Sequence, residues 1–511
     1  MRYLIYIPIL FVQQASAQAI DQLGVKKGIT MNGSINTSTT AYKAFGMAQR
    51  RDPFAWYLNG NINMNLFGYA MPFSFSYSNQ GTQYSQPFNQ YRFAPSYKWV
   101  KLYLGTTSMQ FSNYTLAGHV FNGAGVELTP GKWRIAAMYG TLEKALNRKG
   151  YGTKIGYENN GNSYSIALFT AKDGIPKDAT AHDDSVHDAT AIDAITKNQT
   201  AAFAIKQHIT KRIFADAEYS ISQLNNLYYD AIQAGLGYTA NTYSIQLRYE
   251  QVAPDYTTLG AYTVVNDMRN VTIAPTLQFW KGKITLSGNA GLQVNNLNHQ
   301  KMSDTRRWVA NINTSIAPND HWTMSANYSN FNTFTRVRPL ADPYFTNPLD
   351  TLDYYQVNTT YNSMLMYRIG NSAITLNTSF QHASDKSDAN DNLSSFFTSN
   401  LSYTYLLKKH DMSLTTAFNY YYNTSAGFNT EFFGPNLNIS KQFLNKTCKV
   451  AVLTTFNRTK VASTQSDLFN AGLTLGYTPK GRKHTISSSL LYLQKDAVRE
   501  YTGTMNYSYS F

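Results

Sequence analysis

The feature that most limits what this chain can become is a period of two. "ITLSGNAGLQV" sets Ile284, Leu286, Gly288, Ala290, Leu292 and Val294 on one face and Thr285, Ser287, Asn289 and Gln293 on the other. "MSLTTAFNYYY", "AITLNTSF" and "NAGLTLGY" repeat the theme. Such alternation marks a strand whose two faces meet two different solvents. Helical stripes at i, i+3 and i+4 are missing. After the first twenty residues no apolar run approaches the ~18 residues that a membrane-spanning helix needs.

The punctuation between strands narrows the reading. Tight connections are expected at 67–70, 96–100, 129–133, 158–162, 208–212, 238–241, 279–283, 317–321, 370–373, 406–411, 440–446 and 479–484. Many carry turn residues, as in "TPGK", "NNGN" and "PKGRK". Longer polar connections are expected between them, for example 80–90, 173–198 and 334–353. The pattern predicts an all-β fold: one large up-and-down antiparallel transmembrane β-barrel with short periplasmic turns and long extracellular loops. Twelve short turns imply about 26 strands, or about 24 if one pair is misread. A soluble sandwich, β-helix or propeller has no need of such long strands throughout.

Composition fits a sheet with one wet and one apolar face. Tyrosine (39) and phenylalanine (28) are abundant, and charged residues make up only 14% of the chain, against about 25% in ordinary soluble domains. The N-terminal "MRYLIYIPILFVQQASAQ" reads as a cleaved signal peptide over residues 1–17, with Arg2, a short apolar stretch and an Ala15-Ser16-Ala17 site. Residues 18–511 are then expected to be the barrel, with no separate plug or periplasmic domain. Cys448 is the single cysteine, so no internal disulfide is expected.

The chain ends on "YTGTMNYSYSF", an alternating strand with Tyr507, Tyr509 and a terminal Phe511. It resembles the C-terminal strand of Gram-negative outer-membrane β-barrel proteins. That resemblance implies residence in the bacterial outer membrane, recognition of this strand by the barrel-assembly machinery, and closure of the barrel against the first strand. It says nearly nothing about activity.

Trp99, Trp133, Trp280 and Trp322 sit at or beside short turns, where interfacial anchors belong. Basic residues gather at the same turns, and the formal net charge is +14. Phospholipid headgroups are the simplest counterpart; a field for anionic solutes or an acidic periplasmic partner is the sharper one. Nucleic-acid binding is not expected.

Three regions are candidates for a site. Tyr84, Gln86, Phe88, Asn89, Tyr91 and Arg92, joined by Asn113 and His119, offer aromatic faces and amide forks to a sugar or peptide; packing at the mouth is the alternative. Asp178, Asp183, Asp184, Asp188 and Asp193 are dense enough for a hard cation such as Ca²⁺, but the EF-hand order is absent and a solvated loop is the simpler reading. The proline-bearing stretch 334–350 is a second candidate for a constriction. The nine histidines are scattered, and no HExxH, GxSxG or paired-cysteine pattern appears. No catalytic residue and no cofactor is expected. These readings lead to a porin-like passive channel for small hydrophilic solutes, with a mild preference for anions from the basic excess. The alternative is a non-conducting barrel subunit of a larger outer-membrane complex or a surface ligand-binding barrel.

Overall fold

A computed structural model describes residues 28–79, 90–144, 146–174, 196–300, 306–330, 333–337, 352–385, 392–425, 428–461 and 464–511. The first strand, Ile29–Phe45, pairs with Phe54–Leu66 on one side and with the last strand, Val498–Ser510, on the other. Every strand between is antiparallel to its neighbours, so the sheet closes on itself. Two of the strands are interrupted. Gln90–Phe93 and Ser96–Tyr97 form one, broken at Ala94-Pro95, where proline supplies no N–H to the ladder. Trp322–Asn330 and Thr333–Val337 form the other, both pairing with Leu352–Ile369. The ring therefore has 26 strands. With strands ~4.8 Å apart and tilted by ~40°, a circular ring of that size is roughly 50 Å across.

Closure explains the alternating C-terminus. Ile35 lies opposite Tyr509 and Thr37 opposite Tyr507. Phe511 N–H donates to Gly33 O at 3.1 Å, and Gly33 N–H donates to Phe511 O at 3.0 Å. A terminal residue that completes the seam leaves no frayed edge.

All twelve expected short turns connect the strands at the expected places. The opposite end departs from expectation, because a long connection is not found at every position. Leu224 and Leu227 are joined by Asn225-Asn226 alone, and Lys495 and Val498 by Asp496-Ala497. Strands Met412–Ser425 and Phe428–Phe443, and Cys448–Val461 and Thr464–Tyr477, are also two residues apart. Asn225 (φ 48°) and Asn226 (φ 69°) show the reason. Asparagine tolerates left-handed backbone, and two such residues in succession build the tight hairpin turn that matches strand twist.

Directly paired residues share a face, so the register sorts inside from outside. Leu102, Ile155, Leu168, Phe203, Leu247, Ile273, Leu292, Leu401 and Leu490 are exposed on one face around the ring. An apolar band of this extent is stable only against hydrocarbon. The other face, turned inward, is polar for most of the circumference.

Candidate functional site

Two connections at the outer end fold into the lumen instead of standing above it. The first is 111–116, "FSNYTL". Phe111 N–H donates to Leu116 O (2.8 Å), Thr115 N–H donates to Ser112 Oγ (3.0 Å), and the Ser112 and Thr115 hydroxyls share a bond of 2.8 Å. This tight loop drives Phe111 and Leu116 onto an apolar stretch of inner wall that includes Met109, Phe121, Met138, Leu142 and Phe169. Burying a side chain of this size contributes about 1.5–3 kcal/mol, enough to hold a short loop against its lost freedom.

The second is 253–267, between Tyr243–Val252 and Met268–Phe279. Tyr256 is fully buried; its hydroxyl donates to Tyr114 O (2.7 Å) and shares a bond with Ser220 Oγ (2.8 Å). Asn198, also fully buried, donates from Nδ2 to Thr257 O (3.1 Å) and accepts Leu259 N–H at Oδ1 (3.1 Å). The two segments join where Ala117 N–H donates to Gly260 O at 2.9 Å. A Cβ on Gly260 would sit 2.5 Å from Thr115 O, so only glycine permits this approach.

The wall itself grips the first segment. The Glu218 carboxylate accepts the N–H groups of Asn113 (3.1 Å) and Tyr114 (3.3 Å), and the Tyr114 hydroxyl donates to Glu250 at 2.6 Å. Burial pushes the Tyr114 phenol up, reinforced by its bond to Glu250, and burial likewise raises Tyr256. Both stay neutral hydrogen-bond donors through the physiological range.

Below these segments the inner wall is charged. From Gln90 to Val252 the inward side chains there include six cations (Arg92, Lys101, Arg134, Lys154, Lys206, Arg248) and five anions (Glu127, Glu158, Asp216, Glu218, Glu250). Arg134 and Glu158 pair at 2.9 Å, and Arg248 reaches Asp216 at 4.0 Å. Arg148, at the outer end of its strand, is paired with Asp173 at 2.6 Å. Over the other sixteen strands, from Met268 round to Ser78, the inward positions are mostly Asn, Ser and Thr. Inward charges of that arc such as Arg368, Lys449, Lys495 and Glu500 lie towards strand ends. The lumen therefore has two unlike walls.

The candidates named from sequence are scattered by this geometry. Tyr84, Gln86, Phe88 and Asn89 lie outside the described residues, as do Asp178, Asp183, Asp184, Asp188, Asp193 and most of 334–350. Tyr91 pairs with Phe75 on the outward face and is exposed, whereas Arg92 points inward with its guanidinium 5.4 Å from the Tyr103 ring. Adjacent residues of one strand face opposite ways, so Tyr91 and Arg92 cannot serve one lumenal site. Asn113 belongs to the first infolded segment. His119 is buried on the inner face and stacks on Tyr262 of the second at 4.1 Å. Trp99, Trp133 and Trp280 are exposed beside short turns, and Trp322 packs on Tyr367. Tyr507 and Tyr509 lie on the last strand, both against His484. Glu218, Glu250, Asn198 and Tyr256 were not singled out from sequence. The signal available was the apolar content of an outer connection, "APDYTTLGAYTVVND".

A closed antiparallel ring with an apolar outside and a polar inside is a transmembrane β-barrel. The chain is an integral β-barrel protein of the bacterial outer membrane. No protein-family model matches it, and no curated protein matches it. Among solved structures, the FrpB iron transporter from Neisseria meningitidis matches over 94% of this chain and 83% of its own, with 10% identity and a TM-score of 0.41. The translocation pore of the P pilus usher PapC matches over 94% and 99%, with 9% identity and a TM-score of 0.35. A mutant of the ferric enterobactin receptor PfeA from Pseudomonas aeruginosa matches over 94% and 80%, with 11% identity and a TM-score of 0.41. The strand order, and not these matches, defines the fold.

Proposed function

We propose that the barrel is a passive channel for small hydrophilic solutes, narrowed on one side of its outer mouth by segments 111–116 and 253–267. The observation that carries this reading is the sixteen-strand arc of inward Asn, Ser and Thr, a wall suited to water. Its work is permeation, not catalysis, with outer-membrane lipid as its surroundings. The inner wall below the infolded segments is nearly balanced in charge, six cations against five anions, so any anion preference arises at the basic short turns. The buried aromatics of the infolded segments support a second reading, a sealed scaffold within a larger complex.

Conductance of the purified barrel in a planar bilayer separates the two. Steady ohmic current, rising on deletion of 255–265, is expected of the channel. A stably inserted but silent barrel overturns it in favour of the scaffold.

A further inference from the structure

We propose that the asparagine row on strands Arg306–Ile316, Trp322–Asn330 and Leu352–Ile369 is a binding track for uncharged, polyhydroxylated solutes such as short oligosaccharides. This inference deepens the channel reading and rests on it, since the row faces the lumen. Asn313 Nδ2 donates to Asn311 Oδ1 (2.8 Å), Asn327 Nδ2 to Asn313 Oδ1 (2.6 Å), and Asn362 Nδ2 to Asn327 Oδ1 (3.4 Å). The amides thus run head to tail across three strands in one direction, and each polarises the next.

The row leaves capacity unused. An asparagine amide has two N–H donors and an oxygen with two lone pairs. Within the row Asn313 and Asn327 each spend one donor and one lone pair on each other and their neighbours. Each retains a donor and an acceptor side by side, and Asn313 and Asn362 are exposed. A hydroxyl group, itself both donor and acceptor, matches that pair. A carboxylate or ammonium group matches it less well: it would give up hydration, and Arg368, an inward charge on Leu352–Ile369, stands at the strand end away from the row. Neighbouring strands lie ~4.8 Å apart, so a linear chain of hydroxylated units laid across them meets a fresh amide at each step. The charged wall of the opposite arc lacks this repeat.

The test is the effect of maltohexaose on ionic current, with polyethylene glycol of equal hydrodynamic size as the control that accepts but does not donate. Maltohexaose is expected to reduce the current saturably. In Asn313→Leu/Asn327→Leu its half-blocking concentration should rise about five-fold, from the loss of hydrogen bonds each of modest net strength, with open conductance retained. Asn313→Thr/Asn327→Thr keeps the wall polar and serves if the leucine variant does not assemble; it should show the same direction of change. Equal, unsaturable reduction by both polymers overturns the proposal and leaves the channel standing. If the barrel is silent, calorimetric titration of the detergent-purified protein with maltohexaose decides separately. Binding that weakens in the variants supports the track, and no binding to the unaltered barrel overturns it.

Discussion

Asn198→Ala isolates what holds the second infolded segment in the lumen. The side chain is fully buried, and Nδ2 has three acceptors within reach: Ser222 Oγ (2.9 Å), Gln223 O (3.2 Å) and Thr257 O (3.1 Å). Its Oδ1 is the acceptor for Leu259 N–H. Truncation removes the bonds to the segment and leaves one buried N–H unpaired. The unpaired group costs about 1–3 kcal/mol and each lost bond about 0.5–1.5 kcal/mol. A total near 3 kcal/mol corresponds to roughly a 100-fold larger local opening constant. Thr257 O keeps the Ser222 hydroxyl as a donor, so the loss stops short of complete release. Hydrogen exchange on the detergent-purified barrel reads the opening constant directly where reclosing is fast. A peptide spanning 253–267 should exchange about 100-fold faster in the variant, while one from Ile284–Val294 should not change. An Asn198→Ala barrel with intact strands and less than about a three-fold change in that peptide would refute the claim that this side chain latches the segment.

Gly33→Ala should impair closure. Its Cβ would lie 2.3 Å from Asn61 O and 3.1 Å from the Phe511 ring, whereas a Cβ on Gly503 meets nothing within 4 Å. The fraction migrating as heat-modifiable folded barrel on unboiled gels should fall for Gly33→Ala and hold for Gly503→Ala. The latch should be insensitive to pH through the neutral range. Tyr114 and Tyr256 are both raised from 10.0 by burial, so their contribution is complete below that value and is lost as pH rises through the folded value. Exchange of the 253–267 peptide, corrected for intrinsic rates, should therefore be flat from about pH 7 to 9; a step within that window would show that neither phenol sets the stability of the latch. Any anion preference should depend on salt. The rim charges stand roughly 25 Å from the axis of a circular ring, beyond the ~3 Å Debye length at 1 M but within the ~30 Å at 0.01 M. Reversal potentials should favour anions at low salt and approach zero selectivity at high salt, and Lys480→Glu/Lys483→Glu should reduce the low-salt value.

What the sequence could and could not disclose follows from the range of the interactions involved. A short turn is local: "NNGN" and "TPGK" carry their backbone preferences within four residues, and the turns at Asn160-Gly161 and Gly131-Lys132 stand where they were expected. The closing strand is local too, since its alternation needs no partner to be seen. The length of the outer connections is harder to read because Asn225-Asn226 and Asp496-Ala497 look like fragments of longer polar loops until left-handed backbone is assigned to Asn225, Asn226 and Asp496. The infolded segments depend on register across many strands. Phe121, Met138 and Phe169 occupy inward positions, but each strand read alone carries apolar residues on both faces, so its sequence does not mark which face is lumenal. Such a strand in a wide barrel has something apolar to cover on its lumenal side; Phe111 and Leu116 of segment 111–116, with Leu259 of 253–267, cover it, while Tyr256 and Val264 pack with Tyr114, Val252 and Met268 beside it. The inference from inward apolar positions to an infolded loop is general. It becomes available only when the faces have been sorted, and here it separates the covered, charged wall from the open amide wall on which the proposed permeation depends.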